Sequence, residues 1–324
     1  MAIMAGVSIG PAGMPVGRVG LELLDRLPLV SVDSGLDSRQ AAILWDIRLP
    51  RVVLALLVGA TLSVAGGAYQ GVFRNPLADP YLLGAAAGAG LGATLVLTSG
   101  TQGGWGPFDV LPAAAFVGAL LAVGLTYLVG RAAGRGVAGT TSLILAGVAM
   151  ASLFTSVQTY FQQRSDDTVR EVYAWILGGL STAGWSEVRL ILPWIVLAAV
   201  GVLLHRRPLD VLAVGDEEAT TLGLHVNRTR LVVVLAASLG TAAAVAVSGL
   251  IGFVGIIVPH AIRLVAGHSY RVILPLTLVG GGAFMVLADL VARTALSPAE
   301  VPIGVITAFV GAPFFLALLG RRGA

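Results

Sequence analysis

Cysteine and lysine are both absent from the 324 residues, charge is scarce, and aromatic side chains are few. Without cysteine, neither a disulfide framework nor a thiolate metal site can form. All 20 basic side chains counted as Lys+Arg are arginine, so the chain holds no phosphate-binding loop of the G-x-x-x-x-G-K-S/T kind. Any nucleotide energy therefore has to come from another polypeptide. Charged residues make up 11% of the chain, against about 25% in ordinary soluble domains. Hydrophobic residues make up 56%, and the mean hydropathy of +0.91 suits a surface facing lipid. The pI near 9.7 does not indicate nucleic acid, because the net charge is only +3 and no basic run exceeds two residues. Loop arginines of a membrane protein account for it. The first charged residue is Arg18, so the start lacks the basic n-region of a secretory signal.

What is present is long uncharged runs. A helix needs about 20 apolar residues to cross a hydrocarbon core about 30 Å thick. Runs of that order are Val52–Phe73, Pro80–Phe108, Val110–Gly130, Gly136–Gln163, Leu190–Leu204, Leu231–Ile262, Val272–Ala288 and Val301–Gly320. Leu190–Leu204 is short, and Trp185, Arg206 and Arg207 can anchor its ends. Leu231–Ile262 is too long for one span, and Ser248–Gly252 is its natural break. The sequence thus predicts an all-α, polytopic membrane helical bundle of about nine spans. Residues 1–40 form an N-terminal segment and 41–324 the transmembrane domain. Met1–Gly17 is uncharged but rich in glycine and proline, hence a poor helix former. An odd number of spans puts the N-terminus outside with no evident means of export, so the expectation is a start that truncates a preceding helix.

Alternate loops differ in charge. The set containing Arg74, Arg131, Arg135, Arg206, Arg207, Arg228, Arg230, Arg263, Arg271, Arg321 and Arg322 holds more arginine and fewer acids than the other. The positive-inside rule places that set, and the C-terminus, in the cytoplasm. Within it, Pro208–Leu224 is distinctive. Gly215 and Asp216 announce a short helix, Glu217 and Glu218 suit its first turn, and Gly223 its end. Such a capped, exposed helix is a knob that another protein can grip. On the opposite side, Arg48 and Arg51 share a helix face, and Asp289 and Arg293 are spaced for an i,i+4 pair. By themselves these read as interface anchors and a local pair, and His260 after Pro259 as a helix-break histidine. Gly84, Gly88 and Gly92, and Gly280–Gly282 at what reads as a helix start, suit close helix packing.

Several strings, in order, resemble permeases of the iron-chelate and cobalamin uptake family, the membrane subunits of type II ATP-binding-cassette (ABC) importers. They are Arg48-Leu49-Pro50-Arg51; Gln70 with Arg74-Asn75-Pro76-Leu77-Ala78-Asp79-Pro80; Leu145-Ala146-Gly147; Trp175-Ile176-Leu177-Gly178-Gly179; and Gly215-Asp216-Glu217-Glu218-Ala219. Gly252–His260, Ala288–Arg293, Glu300–Val305 and Gly311–Phe315 continue the series. The resemblance spans roughly Ile43 to Leu319. It implies a ten-helix permease fold, paired as a homodimer or heterodimer around a central path. It also implies ABC ATPase subunits on the cytoplasmic side, which carry the ATP and Mg, and an extracytoplasmic binding protein outside. No cofactor, metal, catalytic residue or nucleic-acid partner is expected for this chain. By position, Val214, Gly215, Asp216, Glu217, Glu218, Ala219, Leu222 and Gly223 match the ATPase-coupling helix, within a cytoplasmic loop at about 205–230. Asn75, Leu77, Thr140 and Thr141 match the cytoplasmic gate. Arg48, Arg51 and Arg293 match arginines that dock the binding protein.

The function so implied is import of a metal chelate through the cell (inner) membrane, with a ferric siderophore first and haem or cobalamin as alternatives. A gradient-driven transporter would be expected to carry buried ionisable residues or broken-helix sites, and only the Ser248–Gly252 break favours it. An intramembrane enzyme finds no catalytic set.

Overall fold

The computed structural model describes residues 1–10, 13–26, 32–101, 104–105, 108–133 and 140–322. Two short helices, α1 (Ala2–Ser8) and α2 (Val16–Asp25), lead to α3 (Ser38–Ala42), which runs through a π-helical turn, Ile43–Arg48, into α4 (Leu49–Phe73). Then come α5 (Ala85–Ser99), α6 (Val110–Ala133), α7 (Thr140–Gln162), α8 (Val169–Ile176), α9 (Trp185–Leu204), α10 (Arg206–Leu212) and α11 (Asp216–Thr221). The chain ends with α12 (Val226–Ser248), α13 (Val254–Ala266), α14 (Tyr270–Thr294) and α15 (Ile303–Arg322). β structure among the described residues amounts to a ribbon pairing Gly104–Trp105 with Phe108–Asp109 and a bridge between Leu296 and Ala299.

Each predicted run has its helix. Six helices are long and apolar enough to cross a membrane, and α5, α13 and the apolar part of α15 are shorter. The start of the Gly136–Gln163 run, with Arg135, lies outside the described residues. Ser248–Gly252 is the break expected there: α12 ends at Ser248 and Gly249 takes φ +65°. Two expectations are corrected. Met1–Gly17 is helical in part, since Gly6 lets α1 lie against Val52 and Val286, where a side chain would collide. Gly280–Gly282 stand inside α14, not at its start.

The bundle is built around α4, which is apolar on every face and buried along nearly its whole length. A helix of this kind belongs in a core rather than at a surface. Its 25 residues extend about 37 Å at 1.5 Å per residue. Small residues decide what packs on it. A methyl group at Gly59 would overlap the carbonyl of Gly281 on antiparallel α14, and one at Gly66 would overlap that of Gly255 on α13. Gly88 and Gly92 of α5 approach Gly118 and Ala114 of α6 in the same way, whereas Gly84 serves a left-handed turn. Without a hydrophobic force between helices in lipid, such backbone approach is what holds them. Tyr69 Oη and Ser238 Oγ, 2.6 Å apart, tie α4 to α12. Apolar side chains of α6, α7, α9 and α15, such as Leu128, Leu145, Leu197 and Phe309, face outward.

Candidate functional site

Three features follow from this frame, one at each end of α4 and one between them. At the C-terminal end of α4 stands the knob. The α10–α11 corner turns at Gly215, where φ is +152°, a backbone region that suits glycine. Ala219 is fully enclosed, while Val214, Glu217, Glu218 and Leu222 are exposed. Asp216, read from sequence as a helix start and part of the coupling helix, also anchors the corner. It accepts hydrogen bonds from buried Arg230 of α12 at 3.1 and 3.2 Å and pairs with Arg74, the residue that ends α4, at 3.2 Å. The knob is therefore tied directly to two core helices. Asn75 and Leu77 occupy the adjacent turn, where Leu77 N donates to Asn75 Oδ1 at 2.9 Å. Leu77 is exposed, and Thr140 and Thr141 open α7. No hydrogen bond joins either threonine to Asn75 or Leu77 among the described residues.

At the other end of α4 the three arginines expected to face an external partner are brought together, but inward. Arg48, Arg51 and Arg293 are 4%, 9% and 8% exposed. Arg51 donates to Asp289 at 2.8–3.2 Å and to both Glu300 oxygens at 2.8 and 2.9 Å. Arg293 pairs with Asp289 at 3.7 Å, the expected i,i+4 contact, and donates to the carbonyl of Gly6. Arg48 donates to the carbonyls of Val7 and Ser8 at 3.0 and 2.9 Å. All three arginines expected to dock a binding protein thus have acceptors within the chain. The C-terminal carbonyls of α1 and two carboxylates occupy them because a guanidinium so enclosed needs acceptors. The side chain of Glu300, 40% exposed, is the accessible member. Its hydrogen bond from Arg51 holds its carboxyl below the ordinary value of 4.5.

Between the two ends, three stretches of non-helical backbone meet. Gly179 N donates to Ser248 O, and Ile303 N and Gly304 N donate to the carbonyls of Gly178 and Leu177. Tyr81 Oη donates to Ile251 O at 3.0 Å and accepts from Ile251 N at 3.2 Å, which binds the turn after α4 to the α12–α13 break. Non-helical backbone at membrane depth is tolerated where it is buried in protein or lines a cavity. Here it borders a cavity of about 600 Å³ whose lining includes Leu177, Leu250, Phe253, Val305, Phe309 and Pro313 and contains no charged side chain. Phe253 holds φ +69°, a region costly for a bulky side chain, and its ring fills the space left by Gly311.

The family model of the FecCD transport family matches residues 1–321. The chain belongs to the FecCD transport family. It is similar to the cobalamin import system permease BtuC of Halobacterium salinarum, 43% identical over 288 residues, covering 89% of this chain and 76% of that protein. It is also similar to the hemin transport system permease HmuU of Yersinia pestis, 39% identical over 293 residues, covering 86% of this chain and 84% of that one. Among solved structures, a provisionally assigned metal-chelate type ABC transporter in an inward-facing conformation superposes with a TM-score of 0.85 at 28% identity, over 99% of this chain and 95% of its own. A FecCD chain of this kind is a multi-pass membrane protein and an ABC importer permease, a transport subunit.

Asp289 and Glu300 as partners of Arg51, and Asp216 as the tie of the knob, escaped the sequence reading. Arg51 lies 238 and 249 positions from Asp289 and Glu300, and Asp216 joins Arg230, 14 positions on, to Arg74 at the end of α4. The visible signal was only that each is an acid inside one of the strings shared with the family.

Proposed function

We propose that this permease moves a large metal chelate of the tetrapyrrole class, a corrinoid or haem, toward the cytoplasm, driven by a separate ABC ATPase that grips the knob. The siderophore expected first from sequence takes second place, because the relatives named above act on cobalamin and hemin. The uncharged cavity along α8, α13 and α15 suits the same reading as one wall of a path for an apolar macrocycle. The second wall comes from a second permease subunit, against the outward apolar faces. The carrying observation for coupling is the knob itself: exposed Glu217, Glu218 and Leu222 on a corner pinned through Asp216 to α4 and α12. An extracytoplasmic binding protein delivers cargo at the Arg51–Glu300 end, where Glu300 rather than the enclosed arginines is presented.

Gentle solubilisation of the tagged chain from native membranes, with identification of what co-purifies, tests the assembly. A co-purifying ABC ATPase is expected, and its absence across several detergents would sink the reading. In that complex, Glu217→Lys with Glu218→Lys is expected to abolish transport-stimulated ATP hydrolysis. Unchanged stimulation would refute the knob as the coupling element. Uptake by vesicles of cobalamin, hemin and a ferric siderophore decides the cargo, and transport of the siderophore alone would overturn the tetrapyrrole assignment.

A further inference from the structure

Beside the knob lies a second cavity, of about 520 Å³, whose lining includes Gln70, Arg74, His260, Arg263, His268 and Tyr270 and contains no acidic residue. Arg74 has its counter-charge in Asp216, 3.2 Å away. Arg263, in the last turn of α13, has none among the described residues. Its Nη2 donates to the neutral Gln70 Oε1 at 3.0 Å, its guanidinium lies 5.9 Å from the centre of the Tyr270 ring, and its Nη1 is enclosed without a hydrogen-bond partner. Among the described residues no carboxylate forms an ion pair with it. Asp210 is close but committed, accepting from Ser269 Oγ and Tyr270 N and pairing with Arg271. Arg263 is half-buried, and the C-terminal end of α13 favours its charge only modestly, so an anion in the cavity would add to what helix and solvent supply.

We propose that this cavity receives a carboxylate side chain from the ATPase subunit, seated on Arg263 and flanked by Arg74 and His268. The inference rests on the reading that an ATPase docks at the knob, and it adds a second contact next to it. Three observations select a protein side chain as the occupant. Ala213 of the knob and Pro76 of the neighbouring turn line the cavity, so it opens on the surface the knob presents. It is far larger than a single small anion requires. And its floor is the end of α4, the helix the bundle encloses along its length, which places it under the centre rather than on a flank facing lipid. Charge complementarity then asks for an acid.

The test measures the affinity of the co-purifying ATPase for this permease in lipid nanodiscs, at low and high salt. Arg263→Gln is expected to weaken association by at least about tenfold and to reduce its salt dependence, with Arg263→Lys restoring most of both. The isolated Arg263→Gln permease is expected to melt no lower than wild type, because an uncompensated charge has been removed; a purely structural arginine would give a lower melting temperature and the same salt slope. His268→Glu, at an exposed position, provides a second variant and is expected to weaken binding by repulsion. Unchanged affinity and salt slope in both variants would overturn the proposal while leaving the coupling reading intact. So would loss of a bound anionic lipid or of inorganic phosphate in Arg263→Gln with ATPase affinity unaltered. If the wild-type permease binds no ATPase, the proposal and the coupling reading fall together.

Discussion

At the scale of single residues, the decisive group is Asp289. Its carboxylate, 1% exposed, stands between Arg51 and Arg293. Removing one member of a buried ionic group leaves uncompensated charge and costs about 3–5 kcal/mol, whereas an exposed partner contributes about 0–1 kcal/mol. Asp289→Ala is therefore expected to lower the melting temperature in detergent sharply and Glu300→Gln only slightly. Equal effects would contradict the burial difference. Two acids in turns give opposite pH responses. Because the Glu300 carboxyl is held below 4.5, its stabilisation is complete above that value and is lost as pH falls through the depressed one. Burial pushes the Asp79 carboxyl up from 3.8 to about 6, against the opposing hydrogen bond from Tyr81 N. The folded protein then holds a proton there that the unfolded chain has released, so stability falls as pH rises between those two values. Melting curves against pH should lose the acid-side decline in Glu300→Gln and the rise toward low pH in Asp79→Asn.

At the scale of elements, glycine spacing sets which helices touch. Gly66→Ala forces α13 away from α4, since the new methyl group meets the Gly255 carbonyl, backbone that cannot swing aside as a side chain can. Overpacking of this sort costs about 1–3 kcal/mol or more. Gly124, inside α6, has open space around it, and Gly124→Ala should be neutral or gain up to about 1 kcal/mol from helix propensity. Thermal unfolding of the two single variants checks the contrast; a harmless Gly66→Ala would mean that α4 and α13 are not in backbone contact. The same logic explains why Gly84, Gly88 and Gly92 divide their roles. Their four-residue spacing announces helix packing, but only Gly88 and Gly92 lie on the α5–α6 contact. Gly84 begins the helix at φ +82°, and spacing alone does not separate a turn from a packing site.

At the scale of the whole molecule, α4 runs from the arginine–carboxylate network to the knob, so the two ends of the permease are joined by its most enclosed helix. The loop charges predict that the knob lies in the cytoplasm and the 295–302 turn outside. The natural absence of cysteine makes this directly measurable. A single Leu222→Cys should react with an impermeant maleimide only in inside-out vesicles, and Ala299→Cys only in right-side-out ones. The reverse pattern would invert the proposed direction of every step. Both positions are exposed in the structure.

Hydrophobic run length, loop arginines and local helix signals were enough to read the membrane class, the nine apolar segments, the break after Ser248 and the capped α11 knob. Each of those depends on residues within a few turns of one another, or on bulk transfer into lipid. What reading along the chain could not yield was the company each charge keeps. Arg48, Arg51 and Arg293 look outward-facing as end-of-span arginines, and become enclosed only because α1, α14 and the turn bearing Glu300 converge on the head of α4. Arg263 looks like one more loop arginine until folding sets it, half-buried, against the neutral Gln70 and Tyr270. Burial and counter-charge are properties of contacts between segments far apart in sequence, so the tertiary structure alone decides which arginine is paired within the chain and which has no anion among the described residues.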